Sequence, residues 1–163
     1  MSNPETYQII VIDPSYNNEQ IFIDAISEIE APDYIPFGRI AIDDCRNVYF
    51  FSTPKNRRID FIWEMISDKA LGFIIIIDGV DPGTFRESRS MVESFRAYCH
   101  LPYIIAANHH NSPDVWPIDD LRIVLRIPEF VPIVPFDLGD RESVKNVVLE
   151  LLYCVLAELA SQE

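Results

Sequence analysis

Residues 72–78, Gly-Phe-Ile-Ile-Ile-Ile-Asp, constrain the fold more than any other segment. Five consecutive side chains, Phe73 to Ile77, are aromatic or β-branched, a composition that favours extended backbone. A strand with one wet face alternates apolar and polar residues. This one does not alternate, so both of its faces must be covered, as in the centre of a parallel sheet. Such a sheet needs helices on each side, and right-handed crossovers joining its neighbouring strands. The rest of the chain therefore has to supply more strands, with apolar-striped helices between them.

It does so in alternation. Residues 7–13 form a second apolar run and read as a strand. Residues 19–29 read as a helix with Ile21, Phe22, Ala25, Ile26 and Ile29 on its buried side, capped by Asn17 or Asn18 and ended by Ala31-Pro32-Asp33. Residues 39–43 and 47–51 read as two strands around a turn at Asp44-Cys45-Arg46, a hairpin. Residues 59–67 suggest a short helix. Asp81-Pro82 opens the next helix, whose stripe is Phe85, Ser88, Val92, Phe95 and Cys99. Residues 103–107 are a strand, 119–125 a short helix, and 131–135 a strand whose prolines send it to a sheet edge. Asp140 caps a last helix running to about residue 160, with Val144, Val147, Val148, Leu151, Leu152, Val155 and Leu159 inward; Lys145, Asn146 and Glu150 make its outer side mostly polar. The order β-α-β-β-α-β-α-β-α-β-α gives an α/β doubly wound sheet of about six strands with one antiparallel member.

With 163 residues the chain reads as a single domain, 1–163. Its 26 acidic against 13 basic residues leave a net charge of −13, which argues against nucleic acid and anionic membranes as partners and suits a basic protein. The three cysteines, Cys45, Cys99 and Cys154, are odd in number and widely spaced, and read as reduced core thiols of a cytoplasmic protein. Residues 1–6 lack the charged and apolar regions of a signal peptide, and the apolar runs are too short to cross a membrane.

The connection from the first strand to the first helix, Asp13-Pro14-Ser15-Tyr16-Asn17-Asn18-Glu19-Gln20, lies where nucleotide-binding folds keep a phosphate loop. Such a loop reads G-x-x-x-x-G-K-[ST]. Here Asp13 and Asn18 stand at the glycine positions, Glu19 at the lysine and Gln20 at the Ser/Thr. Glycines there let backbone N–H groups wrap a phosphate, and the lysine neutralises it. A unit charge pair at 4 Å is worth about 4 kcal/mol at an effective dielectric near 20, so exchanging attraction for repulsion at position 19 weakens phosphate binding roughly a thousandfold or more. Gln20 is a poor replacement for the magnesium-binding hydroxyl, because magnesium demands a tight octahedron.

Other landmarks fall in order around this loop. Phe51-Ser52-Thr53-Pro54-Lys55-Asn56-Arg57-Arg58-Ile59-Asp60-Phe61-Ile62-Trp63-Glu64 resembles the second switch of bacterial Ras-like GTPases, where a G-T-P-G-Q-E-R-F-x-F-x-W pattern is common. Phe37-Gly38-Arg39-Ile40 resembles the end of their first switch, and residues 70–78 the strand after the second. Ala107-Asn108-His109-His110-Asn111 stands where N-K-x-D reads guanine, and residues 131–144 resemble their last strand, fifth loop and last helix. Over nearly its whole length the chain is similar to Ras-like small GTPases, most of all the gliding-motility branch, with no single motif intact. The resemblance implies a three-layer α/β/α G-domain of the P-loop NTPase fold.

It also implies which functions are degraded. Ser52, Lys55 and Asn56 occupy switch positions, with Lys55 for the glycine that contacts the γ-phosphate and Asn56 for the glutamine that orients water. Asn108 matches the base-reading asparagine. Asn111 replaces the aspartate that takes two guanine donors, which an amide cannot do side by side. Asp78 lies at the carboxyl end of the central strand, where ligands bind in such sheets. His109-His110 has no partner at metal-ligand spacing, and no metal or other cofactor is expected. Asp43-Asp44 and Asp119-Asp120 read as solvated loop acids and Trp63 as packing, with Tyr16 and Trp116 left open between packing and partner contact. The expected function is that of a pseudo-GTPase, a protein-interaction or scaffolding module without turnover. The alternative is an unconventional nucleotide-binding protein of weak or altered specificity. Lys55, Arg57 and Arg58 are the clearest basic island, a candidate partner surface on the old switch face of residues 34–62. The resemblance implies a roadblock-type regulator or an active GTPase as that partner.

Overall fold

The computed structural model describes residues 3–15, 18–28, 37–52 and 68–162. In chain order these form β1 (Glu5–Ile12), α1 (Glu19–Ile26), β2 (Phe37–Asp43), β3 (Arg46–Ser52), β4 (Ala70–Asp78), α2 (Phe85–Tyr98), β5 (Tyr103–Asn108), α3 (Ile118–Val124), β6 (Ile133–Pro135) and α4 (Arg141–Ser161). The helix expected over residues 59–67, Tyr16, Asn17, Ile29 and Trp63 lie outside the described residues, and the helix expected over 19–29 ends early, at Ile26, where Ser27 turns to extended backbone.

The six strands make one sheet in the order β2-β3-β1-β4-β5-β6. β2 and β3 are antiparallel, the expected hairpin, and the other neighbours run parallel. The unbroken apolar run lies as expected in the sheet interior, β4 between β1 and β5, with Phe73 to Ile77 at most 1% exposed. β6 is an edge strand, so Pro135 interrupts no further ladder.

The period of two along the strands divides the core into two layers. Ile9, Val11, Ile74, Ile76 and Ile104 pack under α1 and α4 with Phe22, Phe136, Val147 and Leu151. Ile10, Ile12, Phe73, Ile75 and Ile105 face the other way, toward α2 and α3, and meet Phe85, Val92, Phe95, Leu121 and Leu125. Edge-to-face ring pairs anchor both layers, Phe22 on Phe136 with centroids 5.8 Å apart and Phe73 on Phe95 at 4.9 Å.

Four expectations give way. Ile21 is 53% exposed, and its place in the core is taken by Ile23, fully buried; α1 is turned so that 22, 23 and 26 face the sheet. Leu159 is 56% exposed because α4 outruns the sheet by its last turns. Cys45 is no core thiol: it sits exposed on the hairpin turn, where Asp43 pairs with Arg46 at 2.7 Å. The outer side of α4 is also more apolar than Lys145, Asn146 and Glu150 suggest, since Leu149, Tyr153 and Leu156 are exposed there. Asp140 caps α4 as expected, accepting from the Glu142 N–H at 3.1 Å.

Candidate functional site

The loop after β1 is organised around a carboxylate. Asp13 is 3% exposed. Its Oδ1 accepts the N–H of Ser15 at 2.8 Å and the Ser15 hydroxyl at 2.6 Å, and its Oδ2 accepts the N–H of Asn18 at 3.0 Å. An anion therefore sits among the backbone donors of this loop, and it is the protein's own. An aspartate bonding the amide two residues on is a common local turn. Here Pro14 sets the intervening backbone, and the second oxygen reaches across to the start of α1.

Glu19 completes the arrangement from the other side. It is 6% exposed, and its Oε1 accepts the N–H of Asp13 at 2.8 Å. Sequence reasoning casts Glu19 as a source of repulsion for an incoming phosphate. In the structure it turns into the loop and binds the loop's first amide. It also stands in the first turn of α1, where a carboxylate complements the positive end of the helix dipole. Asn18 occupies the cap position without a side-chain capping bond, contrary to its expected role, and only its carbonyl accepts, from the Phe22 N–H at 3.0 Å. Gln20 points along the helix and donates through Nε2 to Asp24 Oδ1.

Beside this loop, at the carboxyl ends of β1, β4 and β5, lies a cleft of about 530 Å³ lined by residues including Asp13, Asp78, Asp81, Glu87, Thr84 and His109. Cleft position and size suit a small-molecule site in such a sheet; its charge does not suit an anion. Four of the described lining residues are carboxylates and His109 is the one basic side chain among them. Asp78 spends Oδ1 on the N–H groups of Val80 (2.8 Å) and Asp81 (3.2 Å), and its Oδ2 lies 3.8 Å from His109 Nε2. His109 reaches that position from a left-handed backbone, φ 69°. Among the described residues no group of three His, Cys, Asp or Glu side chains is placed to hold a metal ion.

The two asparagines expected at a base site are separated in role. Asn108 is 4% exposed, and its Oδ1 accepts the Leu138 N–H at 3.0 Å, tying β5 to the loop before α4. Asn111 is exposed, and its N–H donates to Asp137 Oδ1 at 3.3 Å. The Asn108 carbonyl also accepts from Gly79 N at 3.1 Å, an approach so close that a Cβ on Gly79 would stand 2.6 Å from that oxygen. Trp116 packs edge-on against Phe85 with centroids 5.0 Å apart, so it is packing. Ser52 ends β3 buried, its hydroxyl without a hydrogen-bond partner among the described residues. Lys55, Asn56, Arg57 and Arg58 lie outside the described residues. A second sizeable cavity, about 410 Å³, opens at the opposite end of the sheet between α2 and α4, far from these groups.

No protein-family model matches the sequence, and no curated protein matches it either. Among solved structures the chain is similar to the Arl6 BBS3 small GTPase from Trypanosoma brucei with a bound nucleotide analogue, GppNp. The TM-score is 0.71 at 13% identity, over 94% of this chain and 99% of that one. That identity speaks for architecture alone. The six-stranded, mostly parallel sheet with its single antiparallel strand and flanking helices is the G-domain fold of the small GTPases.

Proposed function

We propose that this chain is a pseudo-GTPase of the gliding-motility-like branch of the Ras-like proteins, a G-domain that neither holds nor turns over a nucleoside triphosphate and works as a protein-interaction module. The observation that carries this reading is the Asp13 carboxylate bound by the Ser15 and Asn18 amides of its own phosphate loop. A free phosphate has to displace that carboxylate and then sit beside Glu19, Asp78 and Asp81, with no lysine among the described lining residues to offset them. Asn108, committed to Leu138, adds to the same reading.

Partner binding is assigned to the old switch face, with Lys55, Arg57 and Arg58 meeting an acidic patch on a roadblock-type regulator or an active GTPase. This assignment rests on the sequence resemblance. Charge reversal of Arg57 and Arg58 is expected to abolish capture of such a partner, and unchanged capture would overturn the surface.

Thermal melting in millimolar GTP, GDP or ATP with Mg²⁺ tests the main claim. A ligand at 100 times its Kd stabilises by about 2.7 kcal/mol, or roughly 5–10 °C for a domain of this size. No shift is expected. A saturable shift with any of the three would overturn the proposal in favour of an unconventional nucleotide-binding protein.

A further inference from the structure

The cavity of about 410 Å³ between α2 and α4 is closed by the start of β5 and the segment before β6. Its size suits a small molecule. Phe95, Leu101, Pro102, Val131 and Pro132 form its apolar walls. Two polar groups in it lack partners. Tyr103 is 8% exposed, and its hydroxyl is buried with no hydrogen-bond partner among the described residues. Buried hydroxyls are normally paired, because an unpaired one gives up its hydration for nothing in exchange. Burial pushes the Tyr103 phenol up, the Cys99 thiol adds to the rise, and Arg96 pulls it down. Both of these neighbours line the same cavity, so the hydroxyl end of the ring lies at its wall. Arg96 stands on the exposed rim and makes no hydrogen bond or ion pair among the described residues. The nearby arginines are all committed: Arg89 donates to the Val124 carbonyl, Arg122 to those of Pro128 and Val131, and Arg126 to Glu93.

We propose that this cavity binds a small monocarboxylic acid with an apolar body, its carboxylate held by Arg96 and the Tyr103 hydroxyl. A guanidinium presents two parallel N–H donors that match the two oxygens of a carboxylate, and an oxygen held in this way keeps a lone pair for the phenol O–H. The apolar body leaves water for the walls made by Phe95, Leu101 and Val131. Glu158 limits the charge of the ligand. It is the one carboxylate among the described lining residues, and it does not pair with Arg96. A monoanion on Arg96 leaves that acid its distance, whereas a dianion such as a phosphate ester meets stronger repulsion from Glu158 and from a chain carrying −13. An amine would face Arg96. No residue of this cavity lines the cleft beside the phosphate loop, so the inference and the proposed loss of nucleotide binding stand or fall separately.

Titration calorimetry of the full chain with hydrocinnamate tests it, beside hydrocinnamyl alcohol, which has the same body without the charge. Saturable binding of the acid is expected, about tenfold or more tighter than the alcohol. Arg96→Gln should weaken the acid by about the same factor and leave the alcohol unchanged. Tyr103→Phe should weaken the acid while the melting temperature of the free protein holds or rises, because the deleted hydroxyl has no partner to lose. The thiols report the location. Saturating acid should slow alkylation of Cys99 and Cys154, which line the cavity, by iodoacetamide, and leave exposed Cys45 as it was. No saturable binding of the acid up to millimolar concentration overturns the proposal, as does equal binding of acid and alcohol. Binding left unchanged by either substitution, or protecting neither Cys99 nor Cys154, puts the acid elsewhere and overturns it too. A lower melting temperature for Tyr103→Phe would give the hydroxyl a partner in the free protein and remove the ground for the site.

Discussion

Replacing Asp13 with Ala removes the acceptor of three hydrogen bonds at a position 3% exposed. Hydrogen bonds to a charged group contribute about 1.5–3 kcal/mol each, but the three share one carboxylate and do not add. Ser15 is exposed and Asn18 half-buried, so their donors rehydrate when the carboxylate goes. The variant also recovers the desolvation of Asp13 and relieves its proximity to Glu19, two acids joined through the Asp13 N–H. What remains is about one charge-assisted bond, roughly 2–3 kcal/mol. For a domain of this size each kcal/mol moves the melting temperature by about 2–4 °C, which gives an expected fall of roughly 4–12 °C. Calorimetry on both proteins measures it, and a urea midpoint that falls with unchanged slope locates the loss in the folded state. Asp13→Asn should fall part of the way, because an amide keeps one acceptor and turns a donor toward the second N–H. A change below about 0.5 kcal/mol for Asp13→Ala would refute the reasoning, since surface substitutions alone do that much. The loop amides would then be satisfied by solvent, and Asp13 would hold nothing in place.

Three further outcomes follow from the same geometry. Combining Asp13→Gly, Asn18→Gly, Glu19→Lys and Gln20→Thr should restore a nucleotide-dependent rise in melting temperature of several degrees, and continued silence would say that the scaffold around the loop no longer fits phosphate. Asn108→Ala should cost about 1–3 kcal/mol in chemical denaturation, because it removes the buried Asn108 side chain and leaves the part-buried Leu138 N–H without its acceptor. Gly72→Ala should destabilise by at least about 2 kcal/mol, since its Cβ would strike the Pro102 carbonyl oxygen and stand 3.1 Å from Leu151 Cδ1; a melting temperature equal to the parent's would contradict that packing.

Most of the fold is legible in the sequence because two periodicities carry it. The unbroken run of β4 predicts a strand covered on both faces, and the alternation of striped helices with short apolar runs predicts how it is covered. The reading slips where a helix meets its neighbours. Ile21 and Ile23 lie about 200° apart on the helix, nearly opposite faces, and the sequence offers isoleucine on both; the seating of α1 against β2 and the last helix decides which one is buried. Leu159 lies on the inward stripe by spacing, yet α4 has by then run past what it packs on. At the loop, the sequence shows what Asp13 and Glu19 replace. It does not show where their carboxylates go, because side-chain direction depends on a backbone path fixed by β1 and α1 together. The clue present in the sequence is Asp13-Pro14-Ser15, the spelling of a turn in which aspartate bonds the amide two residues ahead. The Asn108 bond to Leu138 spans thirty positions and has no local signal.

The Asp13 carboxylate also has a kinetic meaning. A bound nucleotide leaves and returns, and a cell can time a process by the interval. An acceptor tethered by one methylene to the backbone it serves is present at an effective concentration that no free anion matches at ordinary abundance. Its hydrogen bonds open and close, but the carboxylate cannot diffuse away, and it carries no phosphoanhydride bond to be hydrolysed. If Asp13 keeps that place, the duration of whatever the chain binds is set by that contact's own dissociation rate and by how many copies exist.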